Sequence, residues 1–187
     1  MKALILFVSL FMFVTLNAQD FGKVGQWEFA GNASFTMETN VFDGETDDNS
    51  TNTFTLEPMF GYFVYDGVEL GFMPMFQSQT YDESSITTWA FYAVPQYVFD
   101  LKGNAYPYLG VFLGYNSTNI DYGEGDATLS GFSYGGVGGV KVVVTKHALL
   151  NFGLQYLLFN MEPEDWDGGR VGMNQFGITA GFSIFLN

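Results

Sequence analysis

FTLEPMFGYFVYDGVELGFMPMF, residues 54–76, alternates with period two on both sides of a single turn. Phe54, Leu56, Pro58, Phe60, Tyr62 and Val64 take the even positions, with Thr55, Glu57, Met59, Gly61 and Phe63 between them. After Tyr65-Asp66-Gly67 the even positions resume as Val68, Leu70, Phe72, Pro74 and Phe76, separated by Glu69, Gly71, Met73 and Met75. Successive side chains of a strand point to opposite faces, so this pattern around an Asp-Gly pair predicts a β-hairpin. Parity also sets the turn. A two-residue loop would put Val64 opposite Glu69 and bring the two faces out of step. A three-residue loop with Gly67 in the left-handed conformation puts Val64 opposite Val68 and keeps one face apolar. Pro58 and Pro74 then face each other, each removing a ladder donor, so a bulge or a distorted pair is expected there.

Length carries as much information as parity. Strands of water-soluble proteins usually run about 5–6 residues. Both arms of this hairpin keep their alternation for about ten, close to the 9–11 that a tilted strand needs to cross a bilayer. Such a strand is apolar along its lipid face, and small or polar on the other.

The same pattern recurs along the chain. Trp27, Phe29, Gly31, Ala33, Phe35 and Met37 share one face of a first strand. Trp89, Phe91, Ala93, Pro95, Tyr97 and Phe99 share one face of a fourth, and Pro107, Leu109, Val111, Leu113 and Tyr115 one face of a fifth. The sixth carries Phe132, Tyr134, Gly136, Gly138, Val140, Val142 and Val144; the seventh Leu150, Phe152, Leu154, Tyr156 and Leu158. The eighth carries Phe176, Ile178, Ala180, Phe182, Ile184 and Leu186. Polar, acidic segments at 39–52, 78–87, 117–128 and 160–170 read as long loops alternating with short turns. Eight strands joined in that way predict an all-β fold, an eight-stranded antiparallel up-and-down transmembrane β-barrel with both termini on the periplasmic side. Trp27, Tyr62 and Tyr97 fall at one end of the outward faces and Trp89, Tyr115 and Tyr156 near the other, as two interfacial belts would require.

Composition agrees. Lys2, an apolar run over residues 3–16 and the small residue Ala18 form a secretory leader too short to span a membrane as a helix. Residues 1–18 are therefore expected to be removed, leaving a barrel domain over 19–187. That loses Lys2 and no acid, so 5 basic and 20 acidic residues remain, a net charge of −15. Such a charge excludes nucleic acid as a partner. The absence of cysteine excludes disulfides, a lipidated cysteine and thiol chemistry. Glycine (23) and aromatic residues (21 Phe, 11 Tyr, 3 Trp) are abundant, unlike a disordered acidic chain.

With these features the chain resembles the small eight-stranded outer-membrane β-barrel family, which includes OmpA-, OmpX- and OmpW-like barrels. The resemblance covers residues 26–187. It rests on the leader, the strand over 107–115, the Gly135-Gly136-Val137-Gly138-Gly139-Val140 stretch and the last strand, 177–187. In that family the last strand is read by the assembly machinery and usually ends in an aromatic residue; here the outward terminal position is Leu186. The resemblance implies a Gram-negative outer membrane, with membrane lipid, lipopolysaccharide and the assembly machinery as partners, and a monomer.

The inward faces hold the candidate functional residues: Glu28, Glu57, Glu69 and Lys141, with Gln96, Asn151 and Gln155. Glu28, Glu69 and Lys141 should share the periplasmic half of the interior. A lumen of eight strands is filled by its own side chains, so the lysine is expected to pair with one or more of the carboxylates. No catalytic, cofactor or metal site is expected. The single histidine, His147, lies in a short turn away from the acids, with no nucleophile placed beside it. The run Asp43-Gly44-Glu45-Thr46-Asp47-Asp48 lacks the glycine at position six and the terminal bidentate glutamate of a calcium loop. The expected function is a structural or loop-mediated one in the outer membrane, not catalysis. Two alternatives compete with it. A secreted, lipocalin-like barrel would turn its aromatic face inward around an apolar ligand; a narrow channel would conduct a solute.

Overall fold

The computed structural model describes residues 21–42, 45–81, 84–123, 125–163 and 169–186, with side chains described for all of these except 34, 36–42, 45–50 and 171. The expected leader lies outside the described residues. Eight strands follow one another: β1 (Trp27–Phe42), β2 (Glu45–Tyr65), β3 (Val68–Tyr81), β4 (Ser84–Val98), β5 (Ala105–Asp121), β6 (Asp126–Thr145), β7 (Ala148–Pro163) and β8 (Val171–Leu186). Each pairs antiparallel with its sequence neighbours, and β8 returns to β1 to close the barrel.

The hairpin keeps the parity read from its sequence. Phe60 pairs with Phe72 and Tyr62 with Leu70, so the apolar residues stay on one face. Val64 does not stand opposite Val68 as expected: Tyr65 pairs with Val68, Asp66-Gly67 make the turn, a ladder irregularity between Phe63 and Tyr65 absorbs Val64 as the extra residue, and Gly67 has φ 77°. That positive φ is available to glycine at little cost. At the two prolines the β2–β3 ladder lapses after Leu56↔Phe76 and resumes unshifted at Phe60↔Phe72. The outer neighbours stay paired there, Gly31 with Pro58 and Pro74 with Phe91. The expected distortion is therefore a local gap in hydrogen bonding, without a bulge. A similar gap opens around Pro95 between Ala93↔Leu113 and Gln96↔Gly110.

The long acidic loops are a correction. Strand pairing runs through most of these segments, leaving only residues 43–44, 82–83, 122–125 and 164–170 between strands at that end. The opposite end has Asp66-Gly67, residues 99–104, and Lys146-His147. Strands are 14 to 21 residues long, more than a bilayer requires. Alternation of hydrophobicity ends where an apolar surrounding ends, but backbone pairing continues into water, helped by β-branched Thr53, Thr87, Thr118 and Thr128. We call the two ends the turn end and the extension end.

From β3 to β8 a border divides the outer surface. Phe76 faces Trp89, Phe91 faces Tyr115, Tyr115 faces Phe132 and Tyr156 faces Phe176. One step toward the extension end the same faces carry Ser78 with Thr87, Ser117 with Ser130, and Asn174. Below this border Phe29, Phe72, Phe91, Leu113, Leu154 and Ile178 are exposed on the outside, whereas Glu28, Glu69, Gln96 and Lys141 are buried inside. This is the opposite of the sidedness that the soluble ligand-carrier alternative needed.

Candidate functional site: the lumen

The lumen is built in layers, starting at the turn end with residues that precede β1. Phe21 is buried, its ring 5.3 Å from Phe63, 5.3 Å from Tyr106 and 5.1 Å from Phe185. Val98, Val143 and Leu149 complete this apolar stopper. The segment behind Phe21 is tied to the barrel by its backbone. Gly25 N donates to Phe63 O at 2.8 Å, Phe63 N to Gln26 O at 2.9 Å, and Gly67 N to Gly22 O at 2.7 Å. At the rim Val24 N donates to Asp66 Oδ1 at 3.0 Å, and Lys23 Nζ lies 3.4 Å from Asp66 Oδ2. The Val24 amide, followed by the Lys23 ammonium, holds the Asp66 carboxyl below its usual range.

Above the stopper lie three of the four inward charges. Lys141 Nζ donates to Glu28 Oε2 at 2.5 Å and sits 3.5 Å from Glu69 Oε2. Gln96 Nε2 donates to Glu69 Oε2 at 2.5 Å. The side chains of Glu28 and Glu69 are 0% exposed and that of Lys141 2%. The ammonium also lies 5.5 Å from the Phe21 ring centre and 5.3 Å from that of Tyr108, within cation–π range. Gly61 makes the arrangement possible: a Cβ there would stand 1.6 Å from Glu69 Oε1.

Glu57 is not part of this cluster. It sits one layer nearer the extension end, where Asn32 Nδ2 donates to its Oε2 at 3.4 Å. A cavity of about 60 Å³ lined by Asn32, Glu57, Gln96, Tyr108 and Lys141 lies between the two. Met73, Ala90, Tyr92, Val94, Phe112, Leu157 and Phe159 pack across the lumen from β3, β4, β5 and β7 at this depth. Above them opens a vestibule of about 660 Å³, lined by Thr53, Thr88, Gln77, Gln79, Gln155, Met75 and others, with Glu57 among its lining residues. Its lining reaches Ala33 and Ile178, which belong to the outward faces of β1 and β8. There, among the described residues, the β1–β8 ladder has stopped at Gly31↔Phe182.

Parity pointed to all four charged residues and to Gln96. Asn151 and Gln155 also face inward, both lining the small cavity. His147 lies at the turn end, its ring 5.7 Å from that of Phe185. The acidic run 43–48 lies outside the residues whose side chains are described. Sequence reasoning missed the stopper, because residues 21–26 precede the first alternating run. The only signal was an aromatic, Phe21, between the expected leader and β1 without a strand to belong to. Asn116 was missed as well: it is buried, with neither amide atom hydrogen-bonded.

A family model described as outer membrane protein beta-barrel domain matches residues 5–183. The chain belongs to that family. Solved structures of similar fold include the outer membrane protein OprG of Pseudomonas aeruginosa, at 13% identity and TM-score 0.60, covering 88% of this chain and 97% of OprG. Neisserial surface protein A is 20% identical with TM-score 0.56, over 85% of this chain and 94% of that one. AlkL, solved in lipid bilayers, is 17% identical with TM-score 0.54, over 94% and 97%. No curated protein sequence matches. With the family shown, the exposed aromatic and aliphatic band of the barrel is its lipid-facing surface.

Proposed function

We propose that this outer-membrane barrel works from its extension end, facing outside the cell, and neither passes solutes nor catalyses a reaction. The observation that carries this is the closed turn-end half of the lumen: the Phe21 stopper backed by the buried Glu28–Lys141–Glu69 cluster. A hydrated ion would have to displace both, and breaking a buried charge pair costs about 3–5 kcal/mol. The short turns of one end support a periplasmic position for it, and the long strand extensions an external position for the other. On this reading lipopolysaccharide packs around the extension-end border, the assembly machinery reads β8, and the barrel is a monomer. Among the described residues His147 stands at the rim with its ring beside Phe185, an arrangement that offers catalysis no support. Planar-bilayer recording on the mature chain tests the proposal. Silence is expected, and regular unitary current steps from the unmodified chain would refute it.

A further inference from the structure

The vestibule holds a carboxylate that, among the described residues, no cation neutralises. The Glu57 residue is only 9% exposed, and among the described residues it makes no ion pair. Lys141, across the small cavity, is already shared by Glu28 and Glu69, so carboxylates outnumber ammonium groups there. Among the described residues the vestibule lining contains no lysine, arginine or histidine; apart from Glu57 these are threonine, asparagine, glutamine, glycine and apolar residues. Exposed Asp121 and Asp126 stand at the same end of the barrel, on a chain of formal net charge −14. A buried, unpaired carboxylate is costly, and a cavity of one sign with low-dielectric walls concentrates ions of the other.

We propose that the vestibule is a binding site for a small organic monocation. Its ammonium group is held at Glu57, its apolar part lies against Met75, Phe159 and Met161, and glutamine and threonine side chains meet any polar substituent. Size and donor set select this class. About 660 Å³ is the volume of a small-molecule pocket and far more than a bare ion fills. Among the described residues no group of three or more His, Cys, Asp or Glu side chains stands together to hold a divalent metal. Anions meet only negative charge. This binding role goes beyond the proposed function and does not depend on which side of the membrane the vestibule faces.

The test is calorimetric titration of the mature chain in lipid nanodiscs with choline, n-butylammonium and 3,3-dimethylbutanol, the neutral isostere of choline. Saturable one-site binding of both cations is expected, with the isostere weaker by at least about tenfold. Glu57→Gln should weaken the cations by at least about tenfold and leave the isostere unchanged. Thr53→Lys, which sets a fixed ammonium into the vestibule wall, should do the same if Glu57→Gln does not refold. Asp126→Asn, at the rim, should change affinity by less than about threefold. The proposal is overturned if neither cation saturates the unmodified chain, if the isostere binds as tightly as choline, or if a refolded Glu57→Gln chain keeps full cation affinity. Conductance is read separately, so a chain that conducts yet binds choline through Glu57 refutes only the closed-barrel reading.

Discussion

Lys141 is held from several sides: its side chain is 2% exposed, fixed by Glu28 and Glu69 and faced by the Phe21 and Tyr108 rings. Lys141→Met would leave two carboxylates close together in a buried layer. Loss of one partner from a buried ionic cluster costs about 3–5 kcal/mol, so the urea midpoint of the folded barrel should fall by a corresponding amount. The triple variant Glu28→Gln, Glu69→Gln, Lys141→Met should recover most of that loss, since it removes every buried charge of the cluster. A triple variant no more stable than Lys141→Met would show that packing, not charge, decides this layer. Gly61 offers a second approach. Alanine there must push the Glu69 carboxylate away from Gln96 and Lys141, at an overpacking cost of about 1–3 kcal/mol. Gly103→Ala, where a Cβ meets nothing within 4 Å, is the neutral control. Parity in the sequence showed that the three charges point inward. It could not show that Gly61 empties the space they need, because that contact runs between strands and leaves no local pattern.

At the scale of elements, the segment over residues 21–26 is a clasp whose strength depends on pH. Its hold on the β2–β3 turn includes the hydrogen bond from Val24 N to Asp66, whose native pKa lies below the usual value of about 3.9. A group with a lowered native pKa stabilises the fold above its ordinary range, and that contribution disappears as pH falls through the lowered value. Hydrogen exchange at the Val24 amide should therefore be slow at neutral pH and accelerate below about pH 4, beyond the intrinsic pH trend. In Asp66→Asn the acid-dependent part should vanish; its persistence would assign the clasp to other contacts. The strand boundaries show where the sequence stops being informative. Segments such as 39–52 lose their apolar alternation at the border of the lipid-facing band, yet Thr39 still pairs with Ser50 and Val41 with Thr46. Hydrophobic pattern reports the surroundings of a strand, whereas backbone pairing needs only a partner. The glycines of β6 are the reverse case, visible but unexplained until β7 was seen beside them. A Cβ at Gly131, Gly135 or Gly139 would stand 2.1, 2.0 or 2.1 Å from a β7 carbonyl oxygen.

For the molecule as a whole, the outer border separates a membrane-spanning lower barrel from a wetted upper one. The border runs through residues far apart in sequence, from Phe76 and Trp89 by way of Tyr115 and Phe132 to Tyr156 and Phe176. Tyr115 shows its two-sided character: the ring edge faces Phe132 at a centroid distance of 6.3 Å while its hydroxyl donates to Ser130 Oγ at 2.8 Å. A border set by lipid makes the cost of a charge depend on height, not on local packing. Phe72 lies midway along the outward apolar run of β3, stacked on Phe91 at 6.3 Å. Thr87, on the neighbouring strand, lies one step beyond the border, opposite Ser78. Arginine on the lipid face costs about 2–4 kcal/mol at the midplane and about 0–1 kcal/mol near the interfaces. Phe72→Arg should therefore destabilise the barrel by several kcal/mol in phospholipid vesicles, and Thr87→Arg hardly at all. Loss of ring stacking alone would also weaken Phe72→Ala, so the decisive quantity is the extra cost of arginine over alanine at each height. If that excess were the same at Phe72 and Thr87, the aromatic border would not mark the edge of the bilayer.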